Sequence, residues 1–358
     1  MAREAIDRMT NVVKVKKKSL RILSVIGALS IYFSIDHTTA SIGRHLSSLR
    51  KPNEVTSAEV KSLDDSNLHC LSSDEPYNTK HFLHGQTIYM LGDSTMRGQF
   101  RELCNKWTPN RIINDIRLIE PINPDDPEED LIRMCSNKMG TTILFRYQTW
   151  FQPGSVGLME TKFRNFLAGS SDSSKPSVIY FNGGLHLLHL YPYYGFRLLW
   201  PVYKNIERHA IQFVRNAKLL APDAVVVYMN SHDICEDKYK AGWATAVRNL
   251  KNNPMSVANP CAEHLKRKYN VKRRFATKAC LNSTFTSDGV RNLNGRIERA
   301  IASVVQKDNI GKVGCVDAFA ITEGRCEDTI DGRHYQRRVP QELNSLAMVV
   351  QQYEQIEK

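Results

Sequence analysis

The chain has 358 residues, of which 42% are hydrophobic and 24% charged, with a net charge of +12. This length suits one large domain with appendages or two small ones, and the composition excludes a disordered chain. The basic excess suits an acidic glycan or an anionic surface. Nucleic acid is not expected, because no binding motif accompanies the charge.

Seven bases and two acids stand in residues 1–21, so +5 of the net charge sits in this basic tail. The block runs directly into Ile22–Ile35, which carries no charge. Bases ahead of an apolar run place the N-terminus in the cytoplasm. The run is shorter than the roughly 20 residues of a full span. Residues 22–40 therefore read as a signal anchor, with a cleaved signal peptide as the alternative. Residues 41–80 are rich in Ser, Asp, Lys and Asn and lack periodicity, as in a stem. Residues 81–358 form the expected folded domain.

In that domain short apolar strands alternate with amphipathic helices, which predicts an α/β fold around a mainly parallel sheet. Strands are predicted at Thr87–Leu91, Thr141–Tyr147, Ser177–Phe181, Ala224–Met229 and Val313–Ala318. Helices are predicted at Thr95–Trp107, Phe196–Leu220, Asp288–Val305 and Val339–Tyr353. The eight cysteines all lie beyond the apolar run, and none has CxxC spacing. Zinc and thioredoxin chemistry are therefore not expected, and in an oxidising lumen such cysteines pair. Asn282-Ser283-Thr284 is a glycosylation sequon, usable only on the luminal side.

Three short segments carry the chemistry. Gly92-Asp93-Ser94 stands between a predicted strand and a predicted helix. A serine there is exposed, and its N–H at a helix start suits a developing oxyanion; the plain alternative is an N-cap. Asp331-Gly332-Arg333-His334 supplies a base that could activate a serine hydroxyl and an acid that could hold the imidazole tautomer. Its plain alternative is a solvated surface turn. Asn182-Gly183-Gly184 ends another strand; its amide could donate to an oxyanion, or it could be an ordinary Asn-Gly turn. Arg97 and Arg146 lie near strand ends, where either could meet a substrate anion or form a surface ion pair. His232-Asp233 offers a rival base that ranks below His334. His186 and His189 stand three apart but lack a third ligand nearby, so no metal is expected. Lys266–Arg274 reads as a solvated basic helix face, with anionic-glycan binding as the alternative.

Taken together, the Gly92–Arg97 and Asp331–His334 blocks resemble those of the SGNH hydrolases. They are most similar to the PC-esterase branch, which includes the plant trichome-birefringence-like polysaccharide O-acetyltransferases and animal sialate O-acetyltransferase. The resemblance spans about residues 81–345 by block order and spacing. The tail after His334 lacks the Trp-Cys sequence of the plant members, so plant cell-wall specificity is not implied. The resemblance implies a three-layer α/β/α domain with Ser94 as nucleophile, His334 as base and Asp331 as its orienter. Asn182 matches the family's asparagine block more loosely. The activity so implied is O-acyl transfer to a glycan or polysaccharide from an unidentified donor such as acetyl-CoA or another acyl carrier, with no resident cofactor. An esterase acting on glycan or lipid, and a non-catalytic glycan-binding or adaptor protein, are the alternatives. The expected location is a single-pass type II protein of the Golgi or another secretory-pathway membrane, or else a secreted protein.

Overall fold

The computed structural model describes residues 68, 70–73, 84–107, 112–117, 131–136, 140–151, 154–157, 159, 161, 175–190, 200–240 and 242–355. The chain divides into residues 1–62 and 63–358, and everything described belongs to the second unit. The basic tail, the segment at 22–40 and most of the stem lie outside the described residues. Among the described residues no helix is long and apolar enough to cross a membrane.

The sheet is built from β1 (Cys70–Leu71), β2 (Thr87–Gly92), β3 (Ile112–Arg117), β4 (Leu131–Ser136), β5 (Thr142–Tyr147), β6 (Val178–Phe181), β7 (Val225–Met229) and β8 (Val313–Val316). Their order is β1-β8-β7-β6-β2-β5-β4-β3. The strands from β1 to β5 in that order run parallel, and β4 and β3 add an antiparallel edge. The principal helices are α1 (Ser94–Glu102), α2 (Ile206–Leu220), α3 (Gly242–Asn252), α4 (Pro254–Tyr269), α5 (Arg273–Asn282), α6 (Ser287–Lys307) and α7 (Val339–Gln355).

Both faces of the sheet are covered, which is why β6 and β7 are apolar throughout rather than alternating. The period of two in β2 sends Tyr89 and Leu91 into one core and Ile88 and Met90 into the other. The first core is closed by α2 and α6 through Ile206, Phe213, Leu293 and Ile297. The second is closed by α1 and α7 through Met96, Phe100, Leu343 and Leu346. The result is a mixed α/β domain of three layers around a mostly parallel sheet.

Two elements differ from the expectation. Cys70–Leu71, placed in the stem by its sequence, pairs with Cys315–Val316 as an edge strand. Two residues are too few for a periodic signal; the pairing partner lies some 245 residues away, at the far end of a Cys70–Cys315 disulfide. The β3–β4 hairpin was not expected either, because IINDIR and LIRMCS carry charges where a buried strand would be apolar.

All eight cysteines are paired, as Cys70–Cys315, Cys104–Cys135, Cys235–Cys326 and Cys261–Cys280. Cys104–Cys135 ties the turn after α1 to β4, and Cys261–Cys280 ties α4 to α5. The Cys70–Cys315 bond closes the longest loop, so its removal should be felt globally. Replacing both residues with serine should cost about 2–5 kcal/mol in urea unfolding. An unchanged midpoint would show that the Cys70–Cys315 bond contributes nothing to stability.

Candidate active site

Because the central strands are parallel, their carboxyl ends share one edge of the sheet. Strand β2 has β6 on one side and β5 on the other, so the chain order reverses there. Crevices at such reversals are the usual ligand sites of open α/β sheets. Ser94 opens α1 immediately after β2, and Asn182 follows β6.

The turn into α1 is locked from three sides. Asp93 is the N-cap and accepts from the Thr95 N–H at 2.9 Å. The Asp93 N–H donates to Asn182 Oδ1 at 3.2 Å, and Asn182 Nδ2 donates back to Asp93 Oδ1 at 3.4 Å. A Cβ at position 92 would stand 1.8 Å from Asn182 Oδ1, so only glycine lets the carboxamide sit there. Asn182 is 2% exposed and engaged chiefly with this turn.

The second half of the site is a loop. Asp331 and His334 do not directly follow a strand, as their sequence suggested. A short helix (Ala318–Thr322) and a turn of 3-10 helix (Cys326–Asp328) intervene after β8. What holds the loop is a set of fasteners: the Cys235–Cys326 disulfide, the Cys235 N–H donating to the Gly332 carbonyl at 2.8 Å, and the Gly332 N–H donating to Thr329 Oγ1 at 3.0 Å. Gly332 has φ +84°, and a Cβ there would lie 2.5 Å from the Cys235 carbonyl oxygen. Positive φ and close approach both demand glycine at this position.

These two halves meet. Ser94 Oγ lies 2.7 Å from His334 Nε2, and His334 Nδ1 lies 2.6 Å from Asp331 Oδ2. Asp331 Oδ1 also accepts from the backbone N–H groups of Arg333 and His334. With the carboxylate accepting from Nδ1–H, Nε2 is the free lone pair and Ser94 O–H donates to it. Burial alone would raise the Asp331 carboxyl. The His334 ring and the two backbone N–H groups outweigh it and hold the carboxyl well below the usual carboxylate range.

A small cleft over Ser94 is lined by Leu185, His186, Phe285 and Arg333. Gly184, at φ +114°, opens the turn carrying Leu185 and His186. Phe285 is backed by the Tyr239 and Trp243 rings. Arg333 Nε is 3.7 Å from Asp331 Oδ2. Neither expected arginine lines the cleft. Arg146 is 2% exposed inside the sheet and donates to Ser155 Oγ at 2.8 Å, while Arg97 lies over the Tyr147 ring. Arg333 sat unassigned between Asp331 and His334, and its place inside that motif was the one available signal for it.

The two other histidine candidates have different fates. His189 is fully buried, with Nε2 2.8 Å from the Cys280 carbonyl, and burial lowers its pKa to about 4. His232 sits beneath the loop that carries Asp331 and His334. Its Nε2 is 2.6 Å from Glu342 Oε1, its Nδ1 is 3.5 Å from the Arg333 carbonyl, and its ring meets Tyr335 edge-on. Burial would depress His232, but the neighbouring Glu342 carboxylate outweighs it and raises its pKa. Glu342 in turn accepts from Gln99 on α1. His232 is thus a buried strut between α7, α1 and the loop rather than a rival base.

No protein-family model matches the chain, and no curated protein sequence does. A DUF4886 family protein from Bacteroides uniformis is 11% identical, with 75% of this chain and 83% of that chain covered and a TM-score of 0.35. A catalytic mutant of an acetylxylan esterase from Geobacillus stearothermophilus is 9% identical, with coverages of 74% and 94% and a TM-score of 0.33. Neither likeness bears on activity at that level, and the site must be read from its own geometry.

Removing one partner of a buried ion pair strands the other charge. Glu342→Ala should therefore cost about 3–5 kcal/mol in chemical denaturation. A loss below about 1 kcal/mol would mean that the His232–Glu342 contact is not an ion pair in solution.

Proposed function

We propose that this chain is a serine-dependent acyl-transfer enzyme that O-acylates a glycan in the secretory pathway. The observation that carries the proposal is the unbroken chain from Ser94 Oγ through His334 to Asp331. A side chain set in this order is what a weak hydroxyl nucleophile needs. Its intactness favours an enzyme over a non-catalytic adaptor.

In the proposed reaction Ser94 Oγ bonds to the acyl carbon as its proton passes to His334 Nε2. Asp331 steadies the imidazolium. The Ser94 N–H, which as the first of α1 has no intrahelical acceptor, and the second N–H of Asn182 Nδ2 receive the oxyanion. Collapse expels the leaving alkoxide, which takes the proton from His334. An acceptor hydroxyl then gives its proton to His334 and attacks the acyl carbon, and Ser94 leaves with the proton restored. Water as acceptor makes the same machinery an esterase. The small cleft, walled by Leu185 and Phe285, suits a short acyl group such as acetyl. The aromatic and cationic lining supports a glycan over a lipid acyl chain. The similarity of the Gly92–Arg97 and Asp331–His334 blocks to the PC-esterase branch supports the transferase. The four disulfides favour an oxidising compartment, and Asn282 is exposed at the end of α5.

A fluorophosphonate probe should label the wild-type protein at Ser94, and Ser94→Ala should lose both labelling and hydrolysis of p-nitrophenyl acetate. His334→Ala should come close to that loss. Asn182→Ala should lower the rate by about 10²–10³. A Ser94→Ala variant with full activity would end this mechanism. Independently, glycosidase treatment of protein from secretory cells should remove a glycan from Asn282, and Asn282→Gln should abolish that mobility shift. An unglycosylated Asn282 together with a cytosolic domain would overturn the location.

A further inference from the structure

The helical hairpin of α4 and α5 carries more positive charge than its fold accounts for. Lys266, Arg267 and Lys268 occupy the last turn of α4, where cations suit the negative end of the helix. Just past the turn at Asn270, Lys272 is the N-cap of α5 and Arg273 and Arg274 begin its first turn. There the same dipole disfavours cations and favours acids, yet the first turn of α5 has no acid. All six bases are exposed, and no acid occurs between Glu263 and Asp288. Among the described residues none of the six enters an ion pair. Two cationic groups at this corner lie over rings: Lys268 is 5.2 Å from the Tyr269 ring, and Arg274 is 4.6 Å from that of Phe275. Phe275 is 50% exposed. Unpaired like charges crowded at one corner repel one another, and an oppositely charged partner relieves that repulsion.

We infer that the α4–α5 corner is a docking surface for a polyanionic polysaccharide bearing carboxylate or sulfate groups. An anionic bilayer fits less well. Both helices turn most of their apolar residues inward through Val257, Cys261, Leu265, Ala276 and Cys280, and the exposed Met255 and Leu281 stand at the far end of the hairpin, so Phe275 is the exposed apolar side chain that the corner offers to lipid. Nucleic acid also fits less well, because single strands are gripped by successive stacking rings, and among the described residues of this corner Phe275 is the exposed ring while Tyr269 is half-buried. An exposed ring among cations matches a chain that alternates sugar faces with acidic groups. Helix α5 runs from this corner for about 15 Å, and three residues beyond its end Phe285 lines the Ser94 cleft. A polysaccharide held at the corner can therefore continue toward Ser94. That last link rests on the acyl-transfer reading, whereas the docking surface does not.

The test uses the full chain in detergent, with polygalacturonate and chondroitin sulfate as polyanions and dextran as the neutral control. Calorimetric titration should detect both polyanions and not dextran, with affinity falling steeply as salt rises. Lys272→Glu combined with Arg273→Glu and Arg274→Glu should weaken binding at least about tenfold. The same variant should keep its melting temperature or raise it, and should hydrolyse p-nitrophenyl acetate as the wild type does. Phe275→Ser should weaken binding several-fold. Equal binding of polyanion by wild type and triple variant would overturn the inference. So would tighter binding to phosphatidylserine vesicles or polyuridylate than to either polysaccharide, lost in the same variant. A wild-type protein inert to the serine probe but binding polyanions at this corner would sink the acyl-transfer reading and leave the docking surface standing.

Discussion

A single hydrogen bond between residues 240 positions apart sets the terms for this domain. For Ser94 Oγ to rest 2.7 Å from His334 Nε2, a helix start and an irregular loop must be held to within a fraction of an ångström. The helix start is held by secondary structure: a parallel strand, a glycine that admits the Asn182 carboxamide, and an N-cap. A loop has no such ladder. It is held instead by a disulfide, a left-handed glycine and a backbone hydrogen bond to the segment after β7. The two halves use different physics because the chain offers different means at each place.

Beneath that contact lies a buried polar layer. Gln99 reaches Glu342, Glu342 reaches His232, and His232 approaches the carbonyl of the residue before His334. A buried ion pair adds little net stability over an apolar replacement. What it does supply is direction, since a misplaced loop would leave a charge or a carbonyl unsatisfied. The same layer joins the helix that bears Ser94 to the helix that closes the chain, so the C-terminal helix is part of the support for the site.

Much of this was legible in the sequence, for definite reasons. The strands that build the middle of the sheet are covered on both faces, so they read as short apolar runs. Ser94 could be singled out because its Gly-Asp-Ser segment stands between a predicted strand and a predicted helix, and His334 because its acid stands three residues before it. The β3–β4 edge was not legible, since an edge strand tolerates charge and loses its periodic signature. His232 was weighed as a base from its position after a strand; its carboxylate partner comes 110 residues later, and only the packing of α7 discloses it. The arginine that lines the cleft was not singled out, for a similar reason. Arg97 and Arg146 are near the right strand ends, but Arg146 is spent inside the sheet, and a loop delivers Arg333 instead.

The sequon at the end of α5 has an odd seat. Asn282 is exposed, but Ser283 and Thr284 are buried, and the Thr284 hydroxyl is bonded to that of Thr286. An enzyme that attaches a sugar must grip the threonine as well as the asparagine, and the finished fold hides the threonine. On the luminal reading proposed above, modification and folding would compete for the same three residues. The nearby Cys261–Cys280 bond, which spans only 19 residues, draws α5 onto α4 and closes the window. The occupancy of Asn282 would then act as a clock, recording how long this part of the chain stayed open after its synthesis.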